Sequence, residues 1–264
     1  MKKISALIKM SNKSIFENFA LFFTYVLIVL IVMAVGIVVC AKALFEPMAA
    51  NPAVTGEEIG FAFQAVLLSL MLVSIGICYT VMLAVPTTKE KANGNVESML
   101  AASAGIGDIW VAKAISLFLV SLLTSLVLVI PGCLILKWVS IPSAPGMVLN
   151  GWFLVTIFVG VPILYLSECL LITLIALCFS SEGGNVIGSI FCIGITVLVI
   201  NLVARGALNP TGPVLLIIFL ALAAAMFVLS MVLFRKVDKE KVVLSCKAEA
   251  STTGRRRVKR PAKA

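Results

Sequence analysis

Six stretches of this chain are apolar for about 20 residues each, the length of helix that crosses a hydrocarbon core at 1.5 Å per residue. They are residues 19–42, 59–85, 114–136, 151–179, 186–204 and 214–234. Nothing else in the sequence constrains the fold as strongly. Of the residues, 61% are apolar and 12% charged, against roughly 45–50% and about 25% in soluble domains. There is too little polar surface to coat a water-soluble core. The sequence therefore predicts an all-α integral membrane protein with six transmembrane helices. The first run exceeds the roughly 7–15 apolar residues of a signal peptide. Val39 is also too bulky to precede a lipoprotein cysteine at Cys40, so an uncleaved helix is expected. Residues 43–60, with Pro47, Pro52 and Gly56, are expected to be a loop. Pro86 is expected to end the second run, and residues 180–185 to form a tight turn.

An even number of spans puts both termini on one side, and charge says which. Eighteen of the 21 Lys and Arg residues fall in the N-terminal segment, the 86–113 stretch and the tail from Arg235 onward; Lys42, Lys137 and Arg205 are the exceptions. The positive-inside rule makes the rich side the cytoplasm, which predicts a plasma-membrane protein with both termini inside. Residues 1–18 read as an amphipathic helix. Ile4, Leu7, Ile8 and Ile15 share one face, with Lys2, Lys9 and Lys13 opposite, a pattern suited to the membrane interface. The tail, 236–264, is basic and expected to be disordered. It serves topology or anionic lipid; nucleic acid is not an expected partner.

The residues exclude several chemistries. There is no histidine, so imidazole bases, Ser-His pairs and His-ligated metals are ruled out. None of the seven cysteines forms a C-x-x-C pair; they read as small apolar residues, and no metal site is expected. No Walker-type phosphate loop occurs. No in-membrane pair of carboxylates suits an aspartyl enzyme, so the chain is not expected to be an enzyme.

Two places remain that carry function. One is Glu168, the carboxylate deep in a span, where a charge costs about 2.5–3.5 kcal/mol. Tyr165 lies one turn earlier and Pro162 frees a carbonyl nearby. Glu168 with Tyr165 either lines a transport path or is a protonated, hydrogen-bonded structural group. The other is residues 86–113, PTTKEKANGNVESMLAASAGIGDIWVAK. Asn95 suits a helix N-cap and Glu97 the first turn. Val96, Met99 and Leu100 share a face, and Asp108 can cap a further helix. This is either a connecting loop with a surface helix or a docking element.

The stretch and the hydropathy plan resemble the ABC-2-type exporter permeases. That family shows Gly-Thr, an apolar residue, Glu, a variable residue and two apolar residues, often Ala-Thr-Pro, with a later Lys opening the third span. Here Gly94, Glu97, Met99, Leu100 and Lys113 match, while Asn95 and Ser103 stand in place of Thr and Pro. The resemblance implies that a short cytoplasmic coupling helix between spans two and three docks on a separate ABC ATPase subunit. Gly94, Asn95, Val96, Glu97, Met99, Leu100 and Lys113 would form the coupling site. It also implies a second permease copy, as homodimer or heterodimer, and ATP with Mg on the partner ATPase; this chain would bind no cofactor. The alternative is an ATP-independent carrier or a non-catalytic membrane scaffold. The spans show no pattern of charge, which favours lipid-like, peptide or drug-like cargo over small ions.

Overall fold

The computed structural model describes residues 2–17, 19–51, 53–92, 95–101, 105–140, 149–178, 181–237, 240 and 242–244. These residues are helical, with short turns and no strand among them. The helices are α1 (Lys2–Glu17), α2 (Phe19–Cys40), α3 (Glu46–Ala50), α4 (Gly56–Ala92), α5 (Asn95–Ala101), α6 (Ile106–Ser140), α7 (Gly151–Val155), α8 (Val161–Cys178), α9 (Ser181–Ala204) and α10 (Pro213–Phe234). Among the described residues, five helical stretches are long and apolar enough to cross a membrane: Val26–Ala50, Gly56–Ile77, Ile106–Trp138, Gly151–Cys178 and Pro213–Phe234. The described apolar part of α9, Ile193–Ala204, is shorter. This is the build of a multi-pass membrane protein.

Several helices run further than the sequence patterns predict, each for a local reason. Residues 43–50 are helical, not a loop: a π-helical turn, Ala41–Phe45, joins α2 to α3, and Pro47 sits in the first turn of α3. The backbone keeps right-handed helical angles through Phe45 and Glu46, so Pro47 removes one backbone bond without ending the helix. The connection shrinks to residues 51–55. The start of α4 is fixed by a reciprocal cap: the Thr55 backbone N–H donates to Glu58 Oε2 at 2.9 Å, and the Glu58 N–H donates to Thr55 Oγ1 at 3.3 Å. At its far end α4 continues through Pro86 to Ala92, since a helical proline removes one backbone bond without obliging the chain to stop. α6 likewise runs through Pro131. Residues 181–185, expected to lie in a tight turn, are helical, because α9 starts at Ser181; residue 180 lies outside the described residues.

A π-helical turn, Thr156–Gly160, separates α7 from α8 just before Pro162. Here the sequence correctly marks an interruption. The start of α7 is capped by Asn150, whose Oδ1 accepts from the Trp152 N–H at 2.9 Å.

α8 is the central helix. It packs against α6, α9 and α10, while α4 packs against α2, α6 and α9, and α1 lies along α6. Most of α8 is buried. By contrast, α2 and α10 each leave an apolar face exposed, with Ile31 and Val35 on one and Ile217 and Val228 on the other. In hydrocarbon, water does not drive helices together, so close contact and satisfied polar groups must hold them. Buried hydroxyls are settled on their own helices: Ser121 donates to the Leu117 carbonyl at 2.7 Å, Thr173 to Cys169 at 2.6 Å and Ser230 to Met226 at 2.8 Å. Between helices, Ser74 Oγ donates to Ser125 Oγ at 3.1 Å, tying α4 to α6.

Close approach is clearest at Gly160, where a Cβ would lie 2.9 Å from Leu216 Cδ1 and 3.5 Å from Phe219 Cδ2 of α10. The nearer atom is the end of a mobile leucine, so Gly160→Ala is expected to be tolerated. Gly160→Leu overfills the contact and is expected to lower stability by about 1–3 kcal/mol, seen as an earlier thermal transition in detergent than that of Gly160→Ala.

Candidate functional site

The stretch between α4 and α6 is built at one end of the bundle. α5 packs on the end of α4. Glu97 stands in the first turn of α5 and Asp108 in the first turn of α6, where negative charge suits the exposed N–H groups. Asp108 also accepts from the Gly105 backbone N–H at 3.3 Å, capping α6 as its position predicts.

The faces of α5 are unequal. Val96 is turned into the protein's own core at 1% exposure. Glu97, Met99 and Leu100 are half-buried, and Asn95 and Ser98 are exposed. Leu100 packs against the core as well. The apolar surface that α5 leaves partly open therefore comes from Met99 and Leu100, with Val96 acting as the peg that holds the helix down. Gly94 lies outside the described residues.

Lys113 has a definite role. Its Nζ pairs with Glu90 Oε2, closing the last turns of α4 onto the start of α6. Lys91, beside Glu90, is buried. The same few turns of α6 are held on other sides too. The Trp110 Nε1–H donates to the Leu170 carbonyl of α8 at 2.7 Å. Its ring stacks on Phe234 at the end of α10, with centroids 4.9 Å apart and planes at 18°. Gly107 leaves room for that ring, since a Cβ there would lie 3.2 Å from Phe234 Cζ. Ser116 Oγ donates to Asn12 Oδ1 of α1. Val242, beyond α10, is buried in the core, so the tail predicted from residue 236 is packed at its start; residues 245–264 lie outside the described residues.

Sequence reasoning did not single out Glu90, Trp110, Phe234 or Asn12. A weak signal existed for Trp110: an indole N–H at the start of an apolar helix must find an acceptor when it is buried. Nothing local could have named Leu170, 60 residues away.

Glu168 and Tyr165 lie in the interior of this chain's helix bundle. Glu168 is 5% exposed, and the Tyr165 ring lies 6.0 Å from Phe118 of α6, tilted by 39°. Neither lines either of two cavities described away from α5. One is a broad cavity of about 1060 Å³ bordered by Thr55, Glu57, Glu58, Gln64, Asn150 and Thr211. Gln64 is buried and its Oε1 has no hydrogen-bond partner among the described residues. The other is a narrow apolar cleft of about 280 Å³ between α4, α6 and α7. Among the described residues no three Cys, Asp or Glu side chains are grouped to hold a metal ion.

Compared with known proteins, the chain matches no family model, no curated protein and no solved structure.

The Glu90–Lys113 pair is partly buried, so removing one partner strands the other charge. Glu90→Gln and Lys113→Met are each expected to destabilise the protein, and the double variant to lose less than the sum. A coupling of about 0.5–3 kcal/mol in thermal denaturation of the purified protein is the expected result.

Proposed function

We propose that this chain is the membrane subunit of an ATP-driven exporter. On this reading it crosses the plasma membrane six times with both termini in the cytoplasm, and α9 supplies the fifth span. It pairs with a second permease copy. A separate ABC ATPase subunit binds ATP with Mg and docks on α5, the coupling helix.

The observation that carries this reading is how α5 is held. A helix of 7 residues is pegged by Val96 and carried by two long helices braced at their ends by Glu90 and Lys113. The helix receiving that brace is fixed to α8 by Trp110 and to α10 through Phe234. A push on α5 is thereby delivered to the packed core of the bundle, whereas a simple connecting loop would absorb it. Met99 and Leu100 supply the apolar contact and Glu97 the charge for a partner groove, and a few such side chains suffice for a binding hot spot.

The test is co-purification with an ABC ATPase, sought among the proteins encoded beside this chain. Met99→Asp combined with Leu100→Asp is expected to leave the permease in the membrane and to lose the ATPase. Retention of the ATPase with normal coupling would remove α5 from the docking role. If no such ATPase accompanies the wild-type chain, the reading gives way to an ATP-independent carrier or a scaffold. For the substrate path, Glu168→Gln is expected to insert normally and to change the ATP turnover of the assembled complex. Unchanged turnover and transport would return Glu168 to a structural role.

A further inference from the structure

The narrow cleft between α4, α6 and α7 takes no part in the proposed coupling. Its floor is buried and apolar, made by Phe63, Met71, Val129, Cys133 and Phe153. Its rim is open on the flank of the bundle, where Leu134 and Phe158 are exposed. Along α6 the lining runs from Leu126 to Lys137, a rise of about 16 Å. That is close to half of a hydrocarbon core of about 30 Å, the depth of one leaflet. Lys137, at the end of the cleft, is the one charged side chain among its described lining residues. Trp138, next to it, is 81% exposed, and Trp152, next to Phe153, is exposed as well. Exposed tryptophans mark the level at which a membrane meets water.

We propose that this cleft is a phospholipid site, with one acyl chain lying in the groove and the lipid phosphate held by the Lys137 ammonium. Water does not settle in a groove that offers it no hydrogen-bond partners, and a vacant groove forfeits the dispersion contacts of its walls. An acyl chain restores those contacts. Lys137 supplies the charge that a phosphate at the membrane surface requires, and the groove's depth matches one leaflet. The π-helical turn Thr156–Gly160 follows the α7 wall of the cleft through Ile157 and Phe158, so a bound chain braces the break between α7 and α8. The inference needs only a bilayer around the bundle and is independent of any ATPase.

The test is native mass spectrometry of the full chain, purified in mild detergent and supplied with phosphatidylglycerol. One lipid per chain is expected to survive conditions that strip the remainder. Lys137→Gln is expected to weaken retention about fivefold, and Lys137→Glu further. Leu134→Trp, at an exposed rim position that tolerates a larger side chain, is expected to block the groove with Lys137 intact. Thermal transitions near that of the wild type establish that each variant is folded. Retention unchanged in both the Lys137 and the Leu134 variants would overturn the proposal, as would a wild-type chain that keeps no lipid. Efficient cross-linking of Leu134→Cys to a second chain, with no lipid retained, would also overturn it and assign the cleft to a protein contact.

Discussion

One indole N–H, that of Trp110, holds the beginning of α6 against the middle of α8. The bond matters because it runs between helices and not within one. Buried hydroxyls at Ser121, Thr173 and Ser230 turn back to carbonyls of their own helices, which satisfies them but links nothing. Trp110 instead reaches across to Leu170, and its ring carries the end of α10 through Phe234. Asn12 and Glu90 meet the same turns of α6 through Ser116 and Lys113. Four separate elements thus meet on α6 between Gly107 and Ser116.

The rest of the bundle depends on shape. α8 is surrounded, and it accepts α10 closely because Gly160 has no side chain to hold Leu216 away. Without a solvent force between apolar helices, such fits decide which neighbours a helix keeps. The exposed apolar faces of α2 and α10 need no partner inside the chain, because hydrocarbon itself satisfies them. A buried α8 also changes the meaning of Glu168. The residue is buried among the helices of this chain, so any part it takes in passage of a substrate would require those helices to move.

The sequence makes the helical class and the apolar runs legible, because period and length are properties of single segments. Cap positions were readable too: Asp108 closes α6, as an acid at that spacing should. Two prolines do not break the chain where the pattern suggests: Pro47 lies in α3 and Pro86 within α4, since a missing N–H weakens a helix locally without ending it. Pro131 lies inside its helix, as its place in the third apolar run implies. At the candidate site the pattern of α5 was visible, but not which way each face turns. Val96, Met99 and Leu100 look equivalent on a helical wheel; only packing against the rest of the chain separates the buried peg from the half-open pair. The pairing of Glu90 with Lys113 was hidden for the same reason, being a contact between two helix ends and not a motif.

The uninterrupted course of α4 past Pro86 has a mechanical consequence. At 37 residues it is about 55 Å long, and α6, at 35 residues, is nearly as long. A hydrocarbon core is about 30 Å thick, and ordinary tilting takes up only a few ångströms of the excess. Each helix is therefore longer than the hydrocarbon it would cross, and α5 follows α4 at the end where α6 begins. That end is not free: Trp110, Lys113 and Ser116 fasten it to α8, α4 and α1, so the surplus length is a collar bound to the bundle.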